Sequence, residues 1–248
     1  MTSANERPVV VVTGAARRVG AAIARTLHAA GYDLALHCRH SRTELDALLA
    51  ELEIARPGST LALQADLVDV ERLPQLVAAT IARFGRLDGL VNNASGFTPT
   101  PIGSITPIQW DTLFAANARA PLFLAQAAAP HLAASKGAIV NLVDIYAERP
   151  LAQHSVYCMA KAALVMATRA LALELSPDVR VNGVAPGAVL WPDAGKASAE
   201  QKQLIADTPL QRTGTPADVA GAVLWLLRDA AFVTGQIIRV DGGRLLGA

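Results

Sequence analysis

Short runs of β-branched and aliphatic residues alternate along this chain with longer stretches whose apolar positions recur at helical spacing. Val9–Val12 is an unbroken β-branched run, followed by glycines and a helical pattern over 19–30. Asp33–Cys38 reads as a second strand, with further strands at 61–65, 87–91, 138–143, 179–184 and 236–240. Helical patterns fill 42–56, 69–84, 107–134, 154–175 and 216–228. Strands that are apolar throughout are buried on both faces. Strands of that kind separated by helices build an α/β fold, a doubly wound parallel sheet of seven strands with helices on both faces. Such sheets bind ligands beyond the carboxyl ends of their strands. No linker or repeat divides the chain, so one domain over 1–248 is expected, with 1–8 a flexible N-terminus. The least regular stretch, 187–198, holds Trp191, Pro192 and Asp193 and reads as a loop able to fold over a ligand.

Composition narrows the function classes. Of 248 residues 52% are apolar, ample for a sizeable core, and only 4% are aromatic. A formal net charge of +1 gives no electrostatic case for nucleic acid or an anionic membrane. Cys38 and Cys158 are too few for a disulfide framework and lack zinc spacing, which suits reduced thiols in a cytoplasmic protein. The N-terminal M-T-S-A-N-E-R-P lacks the apolar segment of a signal peptide. The apolar stretch 120–134 is interrupted by Gln126, Pro130 and His131, short of a membrane span. His28, His37, His40, His131 and His154 show no metal-ligand spacing, and no G-x-S-x-G elbow occurs.

The segment T-G-A-A-R-R-V-G at 13–20 follows the first strand and opens the first helix, the context a dinucleotide loop needs. Gly14 permits the tight turn and Gly20 a close helix–sheet approach. Arg17, Arg18 and Val19 complete the loop, and the helix N-terminus offers N–H donors to a pyrophosphate. The end of the second strand, His37-Cys-Arg-His-Ser-Arg42, carries no carboxylate to bind a ribose 2′-hydroxyl. Arg39, His40, Ser41 and Arg42 suit a 2′-phosphate instead, through charge-assisted hydrogen bonds. These residues predict NADPH as the cofactor, with either Arg39 or His40 making the main phosphate contact.

Tyr157 and Lys161 lie one helical turn apart, on one face of a predicted helix. A nearby ammonium favours phenolate, so Lys161 is expected to lower the pKa of Tyr157. Together with Asn117 in F-A-A-N-A-R, Asp66-Leu67 after the third strand and Asn92-Asn93-Ala94-Ser95 after the fourth, this Y-x-x-x-K resembles the active-site signature of the short-chain dehydrogenase/reductases. The resemblance runs from Val9 to Gly243 and implies a Rossmann-like sheet. Most members carry Ser where this chain carries Asp144. The Asp, Arg18 in place of the middle glycine, N-N-A-S-G-F-T-P-T-P and A-P-G-A-V-L-W-P resemble the pteridine reductase branch.

That resemblance implies roles. Asp144, Tyr157, Lys161 and Asn117 are implied as catalytic. Gly14, Arg17, Arg18, Val19, Gly20, Arg39, His40, Ser41, Asp66, Leu67, Asn93, Ala94, Ser95, Tyr157, Lys161, Pro186 and Gly187 are implied cofactor contacts. Arg18, Ser95, Phe97, Asp144, Tyr157 and Trp191 are implied substrate contacts, with Phe97 stacking on a pterin. Read as residues alone, Asp66 also suits a helix N-cap, Phe97 a core aromatic and Trp191 an anchor for its loop. The implied partner is a pterin or folate. The rival readings are a carbonyl reductase acting on an oxoacyl thioester or sugar, and an inactive dinucleotide-binding regulator. Leu164, Leu171 and Leu175, with Ala160, Ala163, Ala167 and Ala170 between them, suggest a helix packed on its copy in a homotetramer.

Overall fold

The computed structural model describes residues 7–189 and 198–246. Trp191, Pro192 and Asp193 lie outside them. Seven parallel strands form one sheet in the order β3-β2-β1-β4-β5-β6-β7. They are β1 Val9–Val12, β2 Asp33–Cys38, β3 Thr60–Gln64, β4 Gly89–Asn92, β5 Ala138–Leu142, β6 Arg180–Pro186 and β7 Ile237–Val240. The helices are α1 Arg18–Ala29, α2 Arg42–Ala55, α3 Leu73–Phe84, α4 Pro107–Phe114, α5 Ala120–Ser135, α6 Ser155–Glu174, α7 Ser198–Ala206 and α8 Pro216–Arg228.

Strand β1 shows why the chain adopts two layers of helices. Val10 and Val12 pack into a core with α1 and α8 residues such as Leu27 and Val223. Val9 and Val11 enter the opposite core with α3 and α5 residues such as Leu73 and Leu132. A strand buried on both faces needs apolar side chains at every position, and each such burial contributes about 1.5–3 kcal/mol. The strand order reverses between β1 and β4, which opens the crevice where ligands of such sheets bind.

Several boundaries differ from the sequence reading. Arg7 is paired with Asp33 at 3.0 Å and Pro8 O accepts from Asp33 N at 2.9 Å, so order begins before residue 9. The helical pattern at 107–134 is two helices joined by a π turn, Ala115–Arg119. Thr106 and Gln109 form a reciprocal cap and Pro107 takes the first turn, which fixes where α4 starts. Helix α7 follows directly on the segment read as loop.

Leu164 and Leu171 of α6 face the interior rather than an outer surface. They therefore do not form the helix-on-copy seam expected of them. The exposed large apolar residues of this helix are Met159, Met166 and Leu173, spaced every two turns. By length and mean hydropathy α6 would pass for a membrane span, but Tyr157, Lys161 and Thr168 are buried along it beside its leucines, as in a core helix.

Candidate active site

A cleft of about 700 Å³ opens at the carboxyl ends of the strands, beside the β1/β4 reversal. Gly14 has a φ of +63°, and a Cβ there would lie 2.9 Å from the Cα of Ala94. A Cβ on Gly20 would lie 2.1 Å from the carbonyl oxygen of Gly14, so α1 reaches the sheet only with glycine at that position. Thr13 Oγ1 accepts from the backbone N–H of Asn93 at 2.9 Å and of Ala94 at 3.0 Å. Asn93 Nδ2 donates in return to Thr13 O and Gly14 O. The two loops therefore form one rigid rim. Arg18 holds a φ of 54°, a left-handed conformation that favours glycine. An arginine kept there costs roughly 1–2 kcal/mol of backbone strain, which marks the position as a functional candidate. These features fit a dinucleotide: a closely approached turn, a helix N-terminus and a cleft along both strand ends.

Arg17, Val19, Arg39, His40, Ser41, Asp66, Leu67, Ala94, Ser95 and Pro186 line the cleft. Arg39 lies 3.9 Å from Asp66, a loose pair with both groups half exposed. Arg42 does not join them: its Nε donates to Asp46 one turn along α2 at 2.8 Å. Asp66 Oδ1 accepts from Val68 N at 3.0 Å, so it also ties down the start of the following loop. Gly187 stands behind the lining: its N–H donates to Val240 O at 3.0 Å, and a Cβ would meet the Cα of Asp241 at 2.8 Å.

The sequence-predicted catalytic group converges. Tyr157 donates its hydroxyl to Asp144 Oδ2 at 2.7 Å. Asp144 Oδ1 accepts from Tyr146 N at 2.9 Å, which caps the short 3-10 turn Ile145–Ala147. One carboxylate oxygen thus fixes the orientation that presents the other to Tyr157. Lys161 is buried and donates to Leu142 O at 2.7 Å. Asn117 is fully buried in the π turn, and its Nδ2 donates to Gly96 O and Leu113 O at 2.9 Å. Its Oδ1 has no partner among the described residues. A buried orphan acceptor calls for a donor, and a π turn is a common device for aiming such a side chain.

The electrostatics correct one expectation. Burial pushes the Asp144 carboxyl above its usual range, against the opposing hydrogen bonds from Tyr146 and Tyr157. Burial and then the Asp144 carboxylate push the Tyr157 phenol well above its usual value. The expected lowering by Lys161 does not prevail: its ammonium donates to Leu142 O and lies 5.8 Å from the centre of the Tyr157 ring. Desolvation lowers Lys161 itself to about 8. The site therefore favours a neutral phenol and a carboxyl that protonates readily.

Phe97 and Ser95 lie on the loop after β4 and line the same cleft as Asp144. Phe97 is 48% exposed, so it is not the core aromatic that its residue type also allowed. Its ring stacks on His154 at 4.5 Å and meets Tyr157 edge-on at 4.8 Å. Sequence reasoning missed His154, His37 and Thr112 in or beside this site, since a stack or a cleft wall leaves no spacing signal.

Residues 14–244 match the family model described as Enoyl-(Acyl carrier protein) reductase. The chain is 37% identical to Pteridine reductase 1 of Leishmania tarentolae, with 98% of each chain covered. It is 35% identical to the Granaticin polyketide synthase putative ketoacyl reductase 2 of Streptomyces violaceoruber, again with 98% of each covered. It is 32% identical to a 3-oxoacyl-(acyl-carrier-protein) reductase of Staphylococcus aureus, with 94% of this chain and 96% of that one covered.

Proposed function

This chain belongs to the short-chain dehydrogenase/reductase family, whose oxidoreductases use a nicotinamide dinucleotide, and from that premise we propose that it is an NADPH-dependent pteridine reductase. Its substrates are oxidised or dihydro pterins, and folates as the same ring on a larger tail. The observation that carries this reading is the hydrogen bond from Tyr157 to the partly buried carboxylate of Asp144 at 2.7 Å, inside the cleft. The likeness to Pteridine reductase 1 supports it.

The Gly14–Gly20 turn would hold the pyrophosphate, and Arg39, His40 and Ser41 the 2′-phosphate. Asp66 and Leu67 would border the adenine, while Asn93, Ala94, Ser95, Lys161 and Pro186 would border the nicotinamide side, with Gly187 packed behind them. Bound NADPH supplies a hydride to a C=N bond of the pterin. The chain's own task is then the proton and the pose. Tyr157, kept neutral by burial, donates its hydroxyl proton to the pterin nitrogen. Asp144, whose carboxyl is pushed up, refills Tyr157 across the hydrogen bond that already joins them. Asn117 Oδ1 accepts from a water that leads protons toward Lys161. Phe97 covers one face of the flat heterocycle, and Ser95 and Arg18 hold its polar edge. Burying a pterin between apolar surfaces also excludes water from the reacting centre.

An oxoacyl reductase is the rival that the other relatives favour. A carbonyl substrate offers no flat ring to the exposed part of Phe97, whose ring otherwise stacks on His154. The chain is further proposed to assemble as a homotetramer. The exposed Met159, Met166 and Leu173 of α6, with Leu122 and Phe123 of α5, support that assembly. The substrate reading is tested by NADPH oxidation with a dihydropterin against an oxoacyl thioester.

A further inference from the structure

His37 sits near the end of β2 at 2% exposure, on the wall of the dinucleotide cleft. Its backbone oxygen accepts from Ala15 N at 2.8 Å. Its Nδ1 lies 3.3 Å from Gly14 N, and its Nε2 lies 3.1 Å from Ala65 O. The partners dictate the tautomer. A carbonyl only accepts, so Nε2 carries the proton; an amide N–H only donates, so Nδ1 is bare. Burial holds the imidazole below its usual pKa, against the Ala65 bond and the Asp66 carboxylate, which keeps the ring in the neutral form this pattern requires.

One side chain thereby joins three strand ends. Gly14 belongs to the turn after β1, His37 to β2, and Ala65 follows β3. Asp66 and Leu67 come next after Ala65, and Arg39 and His40 follow His37 closely. The Gly14 N–H is thereby committed to the imidazole and the Ala15 N–H to the backbone oxygen of the same residue, leaving later N–H groups of the loop to face a pyrophosphate. We propose that His37 is a positioning residue for the dinucleotide, setting the separation between the pyrophosphate turn and the adenosine end of the cleft. This rests on the dinucleotide reading of the cleft. The plainer alternative is a histidine that only fills the core.

The two hydrogen bonds can be separated by substitution. Asn at 37 places an acceptor near the Nδ1 position, and Gln places a donor near the Nε2 position. His37→Asn, His37→Gln and His37→Leu are compared by fluorescence titration with NADPH and NADH, without turnover. The Asn variant keeps the Gly14 contact and gives up Ala65, so it is expected to weaken both cofactors by about threefold. This is the smaller loss because residue 37 still ties the pyrophosphate turn to β2, whose end leads into Arg39 and His40. The Gln and Leu variants are expected to weaken both cofactors about tenfold or more, the usual scale of a lost buried hydrogen bond. kcat at saturating NADPH should fall by less than about threefold in all of them, since none touches the reacting atoms. Equal affinities in the Asn and Gln variants, or a loss confined to kcat, would overturn the proposal. A variant that fails to fold does not end the test, because the wild-type imidazole ¹⁵N spectrum gives an independent reading. An Nε2–H tautomer whose Nδ1 resonance moves on adding NADP⁺ supports the clamp. An Nδ1–H tautomer, or a His37 signal indifferent to the dinucleotide, overturns it. Failure of the wild-type chain to bind either dinucleotide would instead overturn the cofactor reading, and the clamp with it.

Discussion

Asp144→Asn is the substitution that isolates proton delivery from shape. In the native site Asp144 Oδ1 accepts from Tyr146 N and Oδ2 accepts from Tyr157. An Asn can keep the first bond through its own Oδ1. Its amide then faces the phenol as a donor, so the Tyr157 hydrogen bond reverses and the phenol proton turns away. Removing a carboxylate whose ionised form burial disfavours should cost little stability, so Tm should stay within a few degrees of wild type. The chemical cost should be large. General acid catalysis contributes about 10²–10⁴-fold, equivalent to about 2.7–5.5 kcal/mol of barrier. The assay is kcat for a dihydropterin at saturating NADPH, measured across pH beside an NADPH binding titration. Asp144 must be protonated to refill Tyr157, and burial raises the pH at which it loses its proton. The native rate should therefore fall as pH rises through the apparent pKa of the Asp144–Tyr157 pair. The Asn variant should lose that limb and keep its NADPH affinity. A variant that turns over near the native rate with an unchanged pH profile would show that Asp144 is not a proton source.

Arg39→Ala should weaken NADPH by roughly 1.5–3 kcal/mol and leave NADH nearly unchanged, because only NADPH carries the 2′-phosphate; equal losses in paired titrations would refute the assignment. Phe97→Ala should raise KM for the pterin by roughly 5–150-fold, for 1–3 kcal/mol of lost stacking and apolar contact, with NADPH affinity held; unaltered pterin kinetics would return Phe97 to the scaffold. Light scattering at micromolar protein should give the mass of four chains, and Met166→Glu should lower it by placing a charge in the exposed stripe of α6; a native chain that is already monomeric would refute the assembly.

Much of the fold was legible because burial on both faces writes itself into the chain. Val9–Val12 and Asp33–Cys38 have the bounds that the apolar runs suggested. Helix α7 left a weak trace, since Ser198–Ala206 carries few apolar residues and no clear stripe. The π turn at Ala115–Arg119 was hidden because alanine and its neighbours suit either hydrogen-bond pattern. In the site, Tyr157 and Lys161 could be paired because helical spacing puts them on one face, and the glycines because close approach restricts residue type, whereas Asp144 stood out only through the family resemblance. The sign of the Tyr157 shift could not be read, because it is set first by burial and then by the Asp144 carboxylate, which only the folded site brings together. His37 and His154 act through partners distant in sequence, Ala65 and Phe97, and only the folded chain brings those together. Arg42 suited a phosphate by position, but its own helix supplies Asp46 as a nearer partner.

The central claim is that the flat ring facing Phe97 and the Asp144–Tyr157 pair is a pterin. It is tested most directly by competition. Dihydrobiopterin, dihydromonapterin, dihydrofolate and an oxoacyl thioester are offered singly and in pairs with NADPH deuterated at the transferred position, and kcat/KM is read from each product. The account predicts tetrahydropterin one mass unit heavy, formed with kcat/KM on the order of 10²-fold above the thioester, the scale one shaped pocket can discriminate. A thioester reduced as fast as or faster than every pterin, or deuterium absent from the pterin product, would contradict it.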